Sequence, residues 1–271
     1  MVEAATDYTL PELMCIEGAR LMPDTGVAVL GLGLPVLSGV LAKCLHHPDI
    51  VVCTEIGVFD WAPDVSRLAR SSMGIHDLIL HDGAAAVSDM VDVLGTALMG
   101  QNVDFGYLTG AQVDRFGNVN TLVMGDYRNP ERRLAGTGGN TEIACLAPRI
   151  FVLMPQEPRR WVERVDFITS PGYIDGPGAR IRAGLDPQGP NSIISTMGVF
   201  GYDTTDGSDG SCELILEAVF PGFDPEIITS MIPWPLHVAE TTREVEPPTI
   251  EELDLLRRLD PHMYYLTPGR Y

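Results

Sequence analysis

Three features of this 271-residue chain have the residue types and spacing to do chemistry: a glutamate, a glycine cradle and a glycine turn. Glu55 follows the apolar run Ile50-Val51-Val52-Cys53 and precedes Gly57, which puts it at the carboxyl end of a short buried strand. Open α/β sheets bind ligands at that edge. A carboxylate there loses part of its hydration, a cost met only if it is paired or used. One reading makes it a reacting group; the other makes it a structural glutamate bonded to a nearby loop. Gly136-Thr137-Gly138-Gly139-Asn140 has the composition of a backbone nest whose N–H groups hold an anion or oxyanion. The same composition also makes a plain loop. Gly31-Leu32-Gly33 opens like a dinucleotide fingerprint, but Val36 stands where a third glycine is needed, and Pro35 restricts the first helical turn. It reads as a tight strand-to-helix turn and not as a nicotinamide site.

Other constellations fail on spacing. GxSxG is absent, and His46, His47, His76, His81, His237 and His262 form no metal motif. His46 and His47 precede Pro48 at a helix end and suit the helix dipole there. Asp114 and Asp126 stand beside turns that they would help to form. Cys15, Cys44, Cys53, Cys145 and Cys212 include no CxxC pair and read as reduced, mostly buried thiols; neither a disulfide framework nor a metal site is expected. The formal net charge of -19 disfavours nucleic acid. A phosphorylated cofactor would need positive charge gathered locally. Arginines do gather, at Arg128, Arg132 and Arg133, at Arg159, Arg160 and Arg164, and at Arg180 and Arg182, either as rim or interface charge or as anion ligands. No apolar run reaches the roughly 18 residues of a membrane span. The acidic start MVEAATDYTLPELM lacks the marks of a signal peptide, so a cytoplasmic address without membrane contact is expected.

Short β-rich and helical runs alternate without repeats or a long linker, the pattern of a largely parallel α/β sheet. One compact domain over residues 1–271 is expected. Strands are expected at 27–35, running into the glycine turn, and at 50–57, 105–114, 150–154, 165–170, 191–202 and 212–220. Helices are expected from Val36 to Leu45, stopped by Pro48, from Val87 to Met99, and over 249–260. In the last of these, Thr249 and Glu252 have capping-box spacing.

Several segments together carry a resemblance. GAQVDRFGNVNT (110–121), GDYRNP (125–130), GTGGN (136–140) and ITSPGYIDGPGAR (168–180) resemble the β subunit of family I coenzyme A transferases, glutaconate CoA-transferase in particular. The likeness continues through GVF (198–200), the Pro221-Gly222 turn and ELDLLRRLDP (252–261), and so spans most of the chain. It implies that family's layered α/β fold, the NagB/RpiA/CoA-transferase type, with a largely parallel central sheet flanked by helices. It also implies that Glu55, in CTEIGVFD (53–60), is the covalent nucleophile that family members carry at a strand end before a glycine. Ile56 departs from the family's glutamate-asparagine-glycine form but leaves Glu55 and Gly57 in register.

The resemblance further implies ping-pong transfer through a glutamyl-CoA thioester, with coenzyme A, acyl-CoA and small carboxylic acids as substrates. No metal or tightly bound cofactor is implied. Gly138, Gly139, Asn140, Gly31 and Gly33 become the oxyanion and CoA-binding candidates. A CoA-transferase α subunit is the implied partner, in an αβ heterotetramer or a larger assembly. SMIPWPLHVAE (230–240) departs from the turn the family would have there, which leaves the local interface or pocket in doubt. Two alternatives stand beside transfer. One is altered chemistry on the same scaffold: thioester hydrolysis, ring cleavage or decarboxylation of a CoA thioester. The other is a subunit that binds acyl-CoA without turnover.

Overall fold

The computed structural model describes residues 4–62, 81, 83–204 and 210–267; His76 lies outside them. The chain divides into two compact units, Met1–Thr109 with Glu246–Tyr271, and Gly110–Val245.

Three parallel strands lead the first unit. β1 (Gly26–Leu30) lies between β2 (Ile50–Thr54) and β5 (Phe105–Thr109), with Leu30 opposite both Thr54 and Tyr107. Their residues are almost continuously apolar and buried, as in parallel strands covered on both faces. Two short strands, β3 (Val58–Phe59) and β4 (Ala86–Val87), continue antiparallel from β2. The helix after β1 starts earlier than expected: α2 covers Leu34–Leu41, with Pro35 in its first turn, and wider turns carry it on through Ala42–His46. Gly39 lets α2 lie close on β1, since a Cβ there would come 3.0 Å from Leu30 Cδ2. The expected helix from Val87 to Met99 resolves into β4 and a wide-turned helix, Val91–Leu98. Asp89 Oδ1 accepts from the N–H groups of Val91 and Asp92, and so sets the start of that helix.

Two capped helices complete this unit. α6 (Ile250–Leu259) begins with the expected Thr249–Glu252 capping box. α1 (Leu10–Arg20) was not foreseen and begins with a second one, Thr9–Glu12. Each box glutamate takes an arginine from the last turn of the other helix. Arg257 Nε donates to Glu12 Oε1 at 2.7 Å, and Arg20 Nη2 donates to Glu252 Oε2 at 2.7 Å.

In the second unit, β10 (Arg149–Met154) and β11 (Ser192–Ser195) run parallel. β12 (Gly198–Tyr202) and β13 (Leu214–Val219) follow antiparallel, and β14 (His237–Glu244) joins β13 in parallel. Two small hairpins stand apart, β6 (Gln112–Val113) with β7 (Val119–Asn120) and β8 (Val123–Gly125) with β9 (Pro130–Arg133). The unit's helices are short: α3 (Asn140–Leu146), α4 (Ala179–Arg182) and α5 (Pro225–Ser230).

Two expected strands need correction here. Residues 191–202 form two strands, because Ser195 Oγ accepts from the N–H groups of Met197 and Gly198 and turns the chain back. Residues 165–170 form no strand, only an isolated bridge at Ser170. Side chains take over the backbone bonding there: Val165 N–H donates to Asp114 Oδ2, and Thr169 Oγ1 donates to Val119 O. The α/β class itself is as expected, with parallel strands and covering helices. No helix among the described residues is long and apolar enough to cross a membrane. All five cysteines are free, but only Cys15 and Cys53 are buried. The thiols are therefore not mostly buried, contrary to expectation.

Candidate active site

Glu55 begins the turn after β2. Because β1, β2 and β5 are parallel and in register, Glu55 and Gly31 leave adjacent strands at one carboxyl edge. Backbone alone shapes this turn. Gly57 N–H donates to Thr54 O at 3.1 Å, and Ser88 N–H donates to Gly57 O at 2.7 Å. Gly57 has φ +103°, and a Cβ on it would run into the Ser88 carbonyl and come within 2.6 Å of Asp89 N. Glycine is required on both counts. Beneath the turn, Thr54 is fully buried and the Cys53 thiol donates to Ala28 O at 3.2 Å. Lys43 holds the far side: its Nζ donates to Ile50 O and pairs with Asp60 Oδ1, both at 2.7 Å. The result is a partly exposed carboxylate on a rigid strand end, placed where a solute reaches it.

The other candidates divide between the units. Gly31 and Gly33 share the Glu55 edge. Gly31 N–H donates to Tyr107 O at 2.8 Å, so that group is committed to holding the strands together and is not an oxyanion donor. Gly33 starts α2 at φ +89°, and its carbonyl accepts from Leu37 N–H. Gly138, Gly139 and Asn140 belong to the second unit and lead into α3. Asn140 N–H donates to Thr137 O at 2.9 Å and Gly139 O accepts from Ile143 N–H at 2.9 Å, while Gly138 N–H has no acceptor among the described residues. The glycine turn at 136–140 is therefore an ordered bend and not a loose loop.

The residues assigned bland roles keep them. Asp114 accepts from the N–H groups of Phe116 and Asn118 and from Asn118 Nδ2, although burial pushes its carboxyl above the usual range. Asp126 accepts from the N–H groups of Arg128 and Asn129 in a surface turn. Arg159 and Arg160 both pair with Glu157, and Arg132 and Arg133 are exposed. Among the described residues, no group of three His, Cys, Asp or Glu is placed to hold a metal. Sequence reasoning missed Ser88 and Lys43, the residues that brace the Glu55 turn. No local pattern marks contacts between residues so far apart along the chain.

Comparison with known proteins agrees with this geometry. A family model described as coenzyme A transferase matches residues 14–229. The chain is 35% identical to the β-type subunit of the 3-oxoadipate CoA-transferase of Pseudomonas knackmussii, over 93% of this chain and 94% of that protein. It is 31% identical to the corresponding subunit of the glutaconate CoA-transferase of Acidaminococcus fermentans, over 96% of each. The crystal structure of glutaconate coenzyme A-transferase from the same organism superposes with a TM-score of 0.85, at 28% identity, covering 97% of this chain and 98% of that one.

Proposed function

The chain belongs to the coenzyme A transferase family, and from that premise we propose that it is the β-type subunit of a two-component transferase whose nucleophile is Glu55. The observation that carries this reading is the position of Glu55: a carboxylate at the carboxyl edge of a parallel strand, in a turn held by backbone and demanding glycine at 57.

The Glu55 carboxylate adds to the thioester carbonyl of an acyl-CoA, and collapse of the adduct expels CoA thiolate and leaves an acyl-glutamyl anhydride. The thiolate then attacks the glutamyl carbonyl, releasing the carboxylate product and leaving a glutamyl-CoA thioester. An acceptor acid reverses these steps and departs as the new acyl-CoA. Every bond made is at the acyl level, so no electron carrier enters. Close backbone approach at Gly31 and Gly33 gives the substrate room beside Glu55. The Gly138 N–H, with Gly139 and Asn140, is proposed as an anion cradle of the second unit.

A thioester intermediate survives only if water is kept away. Glu55 is partly exposed in this chain. Both relatives are named as single subunits of their transferases, so a second, α-type subunit would supply that cover here, in an αβ heterotetramer or larger assembly. Those relatives act on 3-oxoadipate and glutaconate, so small dicarboxylic acids are the acceptors to try first. A cytoplasmic address suits such acids and a chain without a spanning helix among its described residues.

The test is the intact mass of the chain, co-expressed with its α subunit, after exposure to acyl-CoA. The expected result is a CoA-sized adduct that hydroxylamine removes and that Glu55→Ala lacks. Turnover with no adduct, and with Glu55→Ala as active as wild type, would overturn the proposal.

A further inference from the structure

The second unit contains a cavity of about 960 Å³, in the size range of small-molecule sites. It lies at the amino-terminal edge of β10 and β11, the edge opposite the Gly138–Asn140 bend. Pro148 and Asn191, just ahead of those strands, line it with Tyr173, Arg180, Tyr202 and Cys212.

Two of these side chains are buried donors without a matching acceptor. Arg180 is 4% exposed, and its guanidinium donates only to backbone carbonyls: Nε to Asp186 O at 2.7 Å, and Nη1 to Pro171 O at 3.0 Å and Gly172 O at 2.8 Å. No carboxylate forms an ion pair with it among the described residues. Burial pulls its pKa below the usual arginine value, as expected for a charge whose surroundings do not compensate it. Tyr202 is 8% exposed, and its hydroxyl has no hydrogen-bond partner among the described residues. Native structures rarely leave such groups unmatched, and each exception asks for an explanation.

The rest of the lining narrows the ligand. The Tyr173 and Tyr202 rings stand 5.1 Å apart, and Ile181 is exposed on the rim, so an apolar body has surface to lie on. Glu217 also borders the cavity, and its charge opposes a second negative group.

We infer that this cavity binds a small monocarboxylate, with its carboxylate on Arg180 and the Tyr202 hydroxyl and its apolar body against the tyrosine rings. This goes beyond the transferase reading, because binding here requires no covalent step and no Glu55.

The experiment uses the full chain with its co-expressed subunit and follows the ¹⁹F signal of 4-fluorobenzoate, with the neutral 4-fluorobenzamide as control. Saturable binding of the acid alone is expected, equal in wild type and in Glu55→Ala. Tyr202→Phe removes only the unmatched hydroxyl, and Ile181→Trp fills the rim from an exposed position, so both variants should fold. Tyr202→Phe is expected to weaken binding about tenfold, and Ile181→Trp to abolish it. Three results would overturn the inference: no saturable binding, equal binding of the amide, or binding that survives both substitutions. Loss of binding in Glu55→Ala alone would instead assign the acid to the nucleophile's edge, and would also overturn it. None of these outcomes depends on whether a glutamyl-CoA adduct forms.

Discussion

Glu252 stands at the start of α6 with its carboxylate 2.7 Å from both Arg20 Nη2 and Thr249 N–H and 3.0 Å from His46 Nε2, whereas Glu55 stands partly exposed in the turn after β2. Burial alone would raise the Glu252 pKa, but the contacts of His46, Arg20 and Thr249 outweigh it and hold the carboxyl well below the usual range. Glu12 repeats the arrangement with Arg257 and Thr9, so α1 and α6 exchange arginines and tie the two ends of the chain together. A carboxylate so fully engaged is structural. The Glu55 turn is instead shaped by backbone bonds and by Gly57, so its geometry does not depend on the carboxylate that would react. One residue type thus serves two ends, and the contacts around each site separate them.

Substitutions should separate them too. The largest effect is expected at Glu55: Glu55→Gln should lower transfer at least about 10³-fold, while leaving the unfolding free energy within about 0.5 kcal/mol of wild type. A stable, fully active variant would end the comparison. Glu252→Gln should do the reverse. It breaks a largely buried ion pair and should cost about 3 kcal/mol in denaturant unfolding, with turnover per folded molecule unchanged. Gly57→Ala sits between the two. It forces a side chain into positive φ and into Ser88, so about 2 kcal/mol of stability and most of the activity should go together.

A smaller effect is expected with acid. Glu252 and Glu12 have folded pKa values below their ordinary 4.5, so their contribution is complete above that pH and fades as acid carries the solution down through the folded values. Stability of the wild type should therefore fall more steeply below pH 4.5 than that of Glu252→Gln, read from urea midpoints across pH. The smallest expected change is Thr249→Ala. It removes one cap and should cost about 1 kcal/mol, measured by the same unfolding.

The two helices also show how far local reading reaches. The Thr249–Glu252 spacing was legible because it precedes an amphipathic run, ELDLLRRL, with a polar face. The same spacing in Thr9-Leu10-Pro11-Glu12 opens a helix buried on nearly every side, whose pattern has no polar face to mark it. The strand that failed, 165–170, had suitable residues, but Asp114 and Thr169 offered the backbone side-chain partners in place of a neighbouring strand. Ser195 did the same within 191–202 and made one expected strand into two.

From sequence alone, the α/β class, the carboxyl-edge position of Glu55 and the glycine after it were legible, because strand period, burial and turn chemistry are local properties of neighbouring residues. The tertiary structure decided which partners come from far along the chain. It set Ser88 against Gly57, Lys43 beside Asp60 and Arg20 on Glu252, and it committed Gly31 N–H to Tyr107. It also left Arg180 and the Tyr202 hydroxyl without matching acceptors beside one cavity. Whether a polar group is matched depends on everything that packs around it, and no spacing along the chain records that.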